Sequence, residues 1–348
     1  MTARKSALVI APGRGTYGKA ELGSIARLHG LRFSEQIADF DAQRTARGEP
    51  TVSELDGADR FSVALHMRGD VAAPLIYSAS ILDFLSIDRE AYNVVAVAGN
   101  SMGWYSALAM GGAVSVADGF RIANAMGTNS QAHGPGGQLL FQIVDEDWRA
   151  VPGLRDAMFA LVADIAARPG HALSLSIDLG GMLLFAGDEA GLAALLAEAP
   201  PTPGRDPLRL AGHGPFHTPL MQGSADRARA ELSSSLVGVP SLPLVDGRGH
   251  IWRCHSSDPA AMWDYTFGHQ ILAPYDFTLS VQVAVKEYAP DVIILPGPGD
   301  TLGGAIAQAL IGIEWQGIGS KADFMARQAR DPILLSMGRA EQRALVTK

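Results

Sequence analysis

The stretch Val94-Val95-Ala96-Val97-Ala98-Gly99-Asn100-Ser101-Met102-Gly103 places a Gly-x-Ser-x-Gly pentapeptide directly after an apolar run. The apolar run predicts a short buried strand, and the pentapeptide predicts a sharp turn into a helix. This order is typical of a nucleophile elbow, in which small residues let the chain fold so tightly that the serine Oγ stands exposed above a sheet. We therefore predict that Ser101 is a covalent nucleophile and that the free N–H groups of the following helix face any oxyanion formed there.

Composition limits the class of protein. The chain has 348 residues, 47% of them hydrophobic and 18% charged, so it buries a large core and is not disordered. Its formal charge of −8 argues against nucleic acid or an anionic membrane as the main partner. The single cysteine, Cys254, excludes an intrachain disulfide and suits a reducing compartment. No apolar run approaches the ~18 residues of a membrane span, and the run at 7–11 is too short for a signal peptide. We expect a cytoplasmic protein.

Strands and helices alternate on both sides of a central segment. Short buried strands are predicted at 7–11, 94–97 and 291–295, each followed by a glycine-rich turn and a helical pattern. This alternation predicts an α/β fold whose large, α/β-hydrolase-like subdomain holds a mainly parallel sheet with helices on its faces. A breaker at 133–137 marks the expected boundary, so that residues 1–135 and 206–348 form the large subdomain and residues 136–205 a small one.

The central segment has its own pattern. Strands are predicted at 139–144, 173–177 and 182–186, helices at 150–167 and 188–198, and a last strand at 207–210. Strand, helix, two strands, helix and strand is a ferredoxin-like α+β arrangement. We therefore expect a small ferredoxin-like subdomain inserted into the larger one.

A serine nucleophile needs a base, and histidine is the usual one because its pKa lies near neutral pH. Of the nine histidines, His217 lies in Gly214-Pro-Phe-His-Thr-Pro-Leu-Met221, between a predicted strand end and a helix start, where α/β folds place site residues. An ordinary loop histidine is the alternative interpretation. His213 lies four residues before it, a spacing that suits a metal, but Gly214 and Pro215 break any helix there and no third ligand is evident, so we predict no metal site. Asp178 or Asp188 as the acid would give the Ser, Asp, His chain order of α/β-hydrolases. Both aspartates fall in the predicted insert, so we do not expect either of them to orient the histidine.

The Pro12-Gly-Arg-Gly15 turn after the first strand lacks the Lys-Ser/Thr of a phosphate-binding loop and the spacing of a dinucleotide fingerprint. We interpret it as a loop whose backbone N–H faces the elbow. Two such donors are the usual makeup of an oxyanion hole.

Taken together, these motifs resemble the malonyl-CoA:acyl-carrier-protein transacylases and the acyltransferase domains of polyketide synthases over the whole chain. The landmarks occur in the order of that family: Pro12-Gly-Arg-Gly-Thr-Tyr17, Gly99-Asn-Ser-Met-Gly-Trp-Tyr-Ser-Ala-Leu108, Gly214-Pro-Phe-His-Thr-Pro-Leu-Met221, His269-Gln-Ile-Leu-Ala-Pro274 and Leu295-Pro-Gly-Pro-Gly299. A ferredoxin-like insert between the elbow and the histidine is also a family feature.

The resemblance implies transfer of an acyl group from acyl-CoA to the phosphopantetheine of an acyl-carrier protein, without a further cofactor. By that resemblance Ser101 carries the acyl group, and His217 acts as general base and then as acid for the leaving thiol. The backbone carbonyl of Gln270 orients the histidine in place of an aspartate. The backbone N–H groups of Arg14 and Met102 form the oxyanion hole.

Departures from the family pattern concern the acyl pocket, which we expect to include Met126, Phe216, Ala73 and Asn100. The family binds the malonyl carboxylate with an arginine at the position of Met126, and a methionine there leaves a buried carboxylate unpaired. We therefore expect an apolar pocket for acetyl or a longer plain acyl group. Arg14, which replaces a loop glutamine, either reaches a carboxylate from the opposite wall or points to solvent. Arg121 lies well round the helix from Met126 and is an unsuitable substitute.

Two other functions remain open at this stage. A thioester hydrolase that clears acyl groups from carrier proteins uses the same scaffold, with water in place of the pantetheine thiol. A non-catalytic paralogue that only binds a carrier protein is disfavoured because Ser101 and His217 are both present.

Overall fold

The computed structural model describes residues 4–131, 136–201 and 206–348. Residues 132–135 and 202–205 lie outside the described part, and with them most of the predicted breaker at 133–137. The subdomain boundaries predicted at 135/136 and 205/206 therefore stay predictions. The strands of the described part are β1 Lys5–Ala11, β2 Tyr92–Gly99, β3 Gly137–Gln142, β4 Leu173–Leu179, β5 Met182–Gly187, β6 Leu208–Arg209, β7 Leu244–Val245, β8 Ile251–Trp252, β9 Tyr275–Asp276, β10 Val292–Leu295 and β11 Leu334–Ser336.

Helices flank these strands along the chain. The α-helices are α1 Ser24–His29, α2 Ser34–Thr45, α3 Val52–Asp56, α4 Val63–His66, α5 Gly69–Ser86, α6 Gly103–Met110, α7 Val116–Asn129, α8 Leu154–Ala166, α9 Glu189–Glu198, α10 Gln222–Glu231, α11 Pro259–Asp264, α12 Gln270–Leu272, α13 Phe277–Tyr288, α14 Gly303–Ile311, α15 Lys321–Arg330 and α16 Ala340–Val346. A π-helix, Tyr265–His269, leads into α12. No helix among the described residues is long and apolar enough to cross a membrane.

The larger sheet has the order β11-β10-β1-β2-β7-β8. All neighbouring pairs are parallel except β7 and β8, which confirms the predicted α/β fold with a mainly parallel sheet. In the register of β1 and β2, Ala11 pairs with Gly99. The two strands therefore end side by side, and the loop after β1 lies next to the turn after β2. Ligand sites of α/β folds form at such carboxyl ends.

The second sheet has the order β6-β3-β5-β4-β9. Its first four strands pair antiparallel, in the order that a ferredoxin-like arrangement has. The fifth strand was not predicted: β9 comes from residues 275–276, far along the chain, and pairs parallel with β4. A hydrophobic cluster of its own lies against this sheet and includes Leu139, Phe141, Met158 and Phe185.

Helices α5 and α7 cross closely beside the site. A Cβ on Gly127 of α7 would lie 2.5 Å from the carbonyl oxygen of Gly69 and 2.8 Å from the Cβ of Ala73, both on α5. The two backbones approach so closely only because neither crossing residue has a side chain.

We expect Gly127→Ala to lower the free energy of unfolding by about 1–3 kcal/mol, because the added methyl group forces the helices apart. Gly304 on α14 is the matched control, since an added Cβ meets nothing within 4 Å. Gly304→Ala is expected to be neutral or to stabilise by up to about 1 kcal/mol. Urea unfolding of both variants measures this, and equal effects of the two substitutions would contradict the close crossing.

Candidate active site

The turn after β2 has the geometry of a nucleophile elbow. Ser101 has a positive φ of 53°, which is unusual for a non-glycine residue and lifts its side chain out of the turn. The turn has no room for a side chain at either flanking glycine. A Cβ on Gly99 would lie 2.3 Å from the backbone of Gly103, and a Cβ on Gly103 would lie 2.3 Å from the carbonyl oxygen of Ala11. Helix α6 begins at Gly103, directly behind the serine.

Ser101 and His217, which are 116 residues apart in sequence, are in contact. The Oγ of Ser101 lies 2.7 Å from Nε2 of His217. The other ring nitrogen, Nδ1, lies 2.7 Å from the backbone carbonyl oxygen of Gln270. A carbonyl oxygen only accepts, so Nδ1 carries the proton and Nε2 is left to accept the proton of the serine hydroxyl. The structure thus brings together the predicted nucleophile, base and orienting carbonyl.

Neither aspartate of the insert takes part in this chain of hydrogen bonds. Asp178 forms an ion pair with Arg155 and accepts a hydrogen bond from Thr278. Asp188 caps α9 by accepting from the N–H of Gly191. Within the described residues, the hydrogen bonds of the His217 ring go to Ser101 and to a carbonyl. The arrangement is therefore a dyad without an acid.

The histidine is buried, with 4% of its surface exposed. Burial lowers the pKa of His217 to about 4, and the hydrogen bond to Gln270 opposes that shift. The ring is consequently neutral at neutral pH, which is the state that can accept a proton from the serine.

Two tyrosines that the sequence reasoning missed hold this arrangement in place. Tyr105 on α6 donates its hydroxyl to the side-chain oxygen of Gln270 at 3.0 Å, and the amide of Gln270 donates to the carbonyl oxygen of Ser101 at 3.1 Å. Tyr275 donates to the carbonyl oxygen of Gly99 at 2.6 Å. Gln270 therefore fixes both the histidine ring and the backbone of the elbow. The position of Tyr105 within the elbow motif was the only available signal in the sequence.

A cavity of about 60 Å³ lies next to the dyad. Ser101 and His217 line it together with three of the four predicted pocket residues, Met126, Phe216 and Ala73. The fourth residue, Asn100, does not line this cavity but an adjoining cleft, because its side chain packs beside Gly13 on the other side of the turn.

The adjoining cleft is larger, about 490 Å³, and reaches Ser101 from the side of the second sheet. Apolar side chains of that sheet line it, among them Leu140, Ile177 and Leu184. The small cavity and the larger, mostly apolar cleft thus meet at the serine.

Arg14 is half-buried and lines both the cavity and the cleft, with its Nε and Nη1 atoms buried. Its Nη2 donates to the carbonyl oxygens of Met67 at 2.5 Å and Gly212 at 2.9 Å, and its guanidinium lies 5.3 Å from the ring centre of Phe216. The backbone N–H groups of Arg14 and Met102 make no hydrogen bond within the described residues. Both N–H groups are therefore free to donate to a bound group, and their role as an oxyanion hole stays a prediction.

The other histidine and arginine candidates from the sequence do not line the cavity beside the dyad. His213 lines the cleft, and its Nδ1 is hydrogen-bonded to the side-chain oxygen of Gln138 at 2.7 Å. Arg121 is exposed. The described part of the chain holds no group of three His, Cys, Asp or Glu residues that could bind a metal ion.

Comparison with curated proteins finds relatives of one kind. The malonyl CoA-acyl carrier protein transacylase of Salmonella typhimurium is 26% identical over 208 residues, which cover 60% of this chain and 63% of that protein. The match thus spans less than two thirds of that relative's length. The malonyl CoA-acyl carrier protein transacylase of Mycobacterium bovis is 26% identical over 327 residues, 91% of this chain and 97% of that protein. No family model matches the chain.

Solved structures share the fold. A malonyl-CoA:acyl carrier protein transacylase from Xanthomonas oryzae pv. oryzae has a TM-score of 0.74 at 20% identity over 100% of both chains. A type II PKS acyl-carrier protein in complex with its malonyl-transacylase gives a TM-score of 0.73 at 18% identity over 98% of both chains. Fold and site define an α/β protein with a serine at a strand–helix elbow and a histidine hydrogen-bonded to it. Within that class, the chain is a relative of the malonyl CoA-acyl carrier protein transacylases, as its motifs predict.

Because His217 stays neutral, we expect the reaction of Ser101 with a fluorophosphonate to be independent of pH from about pH 8 down to about pH 5. Below that range the rate falls as the ring, whose pKa is about 4, gains a proton and no longer accepts one. The labelling rate at each pH, with Ser101→Ala as the unlabelled control, measures this. A midpoint near the ordinary histidine value of 6.5 would contradict the burial argument.

Proposed function

We propose that the protein is an acyltransferase that moves a short acyl group from acyl-CoA to an acyl-carrier protein through an ester on Ser101. The observation that carries this proposal is the hydrogen bond of 2.7 Å between Ser101 Oγ and the neutral Nε2 of His217. The relatives named above are transacylases of this kind, and their names support the choice of donor and acceptor.

The first half-reaction forms the ester. Ser101 Oγ attacks the carbonyl carbon of the thioester while its proton passes to Nε2 of His217. The C–S bond of the tetrahedral intermediate then breaks, and the proton on Nε2 goes to the leaving sulfur, so that CoA departs as a thiol. The backbone N–H groups of Arg14 and Met102 donate to the oxyanion, a contribution of about 3–4 kcal/mol for each donor in comparable sites.

The second half-reaction reverses these steps with a new thiol. The phosphopantetheine thiol of the carrier protein gives its proton to Nε2 and attacks the ester carbonyl, and Ser101 Oγ takes the proton back as the C–O bond breaks. We assign the pantetheine arm to the 490 Å³ cleft, because that cleft reaches Ser101 and is lined mainly by uncharged side chains. The solved complex of a type II PKS acyl-carrier protein with its malonyl-transacylase supports a carrier protein as partner.

Intact-protein mass spectrometry after incubation with short-chain acyl-CoAs tests the first half-reaction. We expect one acyl group per chain, a loading rate that falls by about 10³-fold or more in Ser101→Ala, and no loss in Ser256→Ala, whose serine is exposed and away from the site. No acyl adduct on the wild-type protein, or equal loading of Ser101→Ala, would refute the covalent mechanism.

Addition of a carrier protein with its phosphopantetheine arm tests the second half-reaction. Transfer predicts that the acyl mass moves from the protein to the carrier. Loss of the acyl group to water, at a rate that the carrier does not change, would instead identify a thioester hydrolase.

A further inference from the structure

A second histidine, His213, lies on the wall of the cleft and takes no part in the dyad. Its ring centre lies 5.7 Å from that of Phe216, which lines both the cavity and the cleft. Arg14 and His217 both act electrostatically on the half-buried ring, which therefore stands at the end of the cleft that meets Ser101. A polar side chain at that place meets the group that leads up to the serine.

A chain of hydrogen bonds sets which nitrogen of the His213 ring carries the proton. The backbone carbonyl of Phe216 only accepts, so the hydroxyl of Ser176 donates to it at 2.8 Å. Because Ser176 has then given its only proton, its Oγ accepts from the amide Nε2 of Gln138 at 2.6 Å. The amide oxygen of Gln138 therefore faces His213 Nδ1 at 2.7 Å and accepts from it. The proton lies on Nδ1, and Nε2 carries a lone pair.

This lone pair is not used within the described residues. The ring makes one hydrogen bond there, the bond from Nδ1 to Gln138. Nε2 retains exposed surface, and the ring lines the cleft. Burial lowers the pKa of His213 well below its ordinary value, and the nearby guanidinium of Arg14 adds to the shift, so the ring is neutral at neutral pH. His213 therefore offers the cleft a hydrogen-bond acceptor.

The pantetheine arm that we assign to this cleft carries the complementary group. Its first amide follows the sulfur after a short carbon link, so that amide N–H enters the cleft directly behind the thioester. Apolar side chains line much of the cleft, among them Leu140, Ile177 and Leu184. An amide N–H that leaves water for such walls needs an acceptor, because an unpaired donor there is unfavourable.

We propose that Nε2 of His213 accepts a hydrogen bond from the pantetheine amide nearest the sulfur, and that His213 thereby selects thioesters whose thiol arm carries that amide. This inference rests on the proposed function, because it concerns the arm of the thioester that acylates Ser101. The bond forms in both half-reactions, since CoA and the carrier protein present the same arm. His213 is thus a binding residue for the thiol side of the substrate, separate from the cavity beside the dyad.

Two thioesters of one short acyl group test this inference, one of N-acetylcysteamine and one of 2-mercaptoethyl acetate. They differ only in that an ester oxygen replaces the amide N–H. We expect the amide thioester to acylate wild-type Ser101 about 5- to 100-fold faster. Intact-protein mass spectrometry gives the second-order rate constants, each divided by that of the same thioester with hydroxide. In His213→Phe, which keeps a ring and removes the acceptor, the preference should disappear.

Two further variants complete the comparison. His213→Gln places an amide oxygen near the position of Nε2 and should keep part of the preference for the amide thioester. His255→Phe makes the same exchange at an exposed histidine that lines neither the cavity nor the cleft, and it should leave the preference unchanged.

Labelling of Ser101 by a small fluorophosphonate separates binding of the arm from support of the dyad, because this probe has no amide. His213→Phe should slow acylation by a short acyl-CoA about 5- to 100-fold and leave the labelling rate unchanged. This comparison decides the matter even if both truncated thioesters react too slowly to measure.

Each result separates the inference from the proposed function. If the wild-type protein does not prefer the amide thioester, or if His213→Phe slows labelling as much as acylation, His213 only supports the loop before His217. The inference is then wrong, while the acyltransferase stands. If no short acyl-CoA adds mass to the wild-type protein, the proposed function itself fails.

Discussion

The site depends on one chain of hydrogen bonds, from Ser101 Oγ to His217 Nε2 and from Nδ1 to the carbonyl oxygen of Gln270. Its three members come from the elbow after β2, the loop before α10 and the start of α12. Because a carbonyl replaces a carboxylate, the chain sets the tautomer of the ring without a second charge. The main-chain carbonyl keeps its place only if α12 is fixed, and the bonds from the Gln270 side chain to Tyr105 and to the elbow backbone provide that fixation.

The cavity beside the dyad is lined by few charged groups. The His217 ring is neutral at neutral pH, and among the described residues that line the cavity Arg14 alone carries a permanently charged side chain. The same loop supplies the proposed oxyanion donor through its backbone and a charged wall through its side chain.

The sequence was sufficient for the elements whose patterns are local. Gly-x-Ser-x-Gly after an apolar run predicts the elbow, and apolar strands with glycine-rich ends predict the parallel sheet. Helix α2 was less evident, because Phe40 and Arg44 are its only buried residues and leave little periodicity. The joining of β9 to the second sheet, the role of Tyr275 and the placement of Asn100 on the cleft side depend on contacts distant in sequence or on the direction of a side chain. A linear pattern does not encode such features.

The state of the His217 ring tests the central claim most directly. Nitrogen-15 NMR of the imidazole side chains, with His217→Gln to assign the signal, reports which ring nitrogen carries a proton. The account predicts that at neutral pH Nδ1 is protonated, hydrogen-bonded to Gln270, and Nε2 is unprotonated and accepts from Ser101. A ring protonated on both nitrogens at that pH, or a neutral ring with its proton on Nε2, would contradict it.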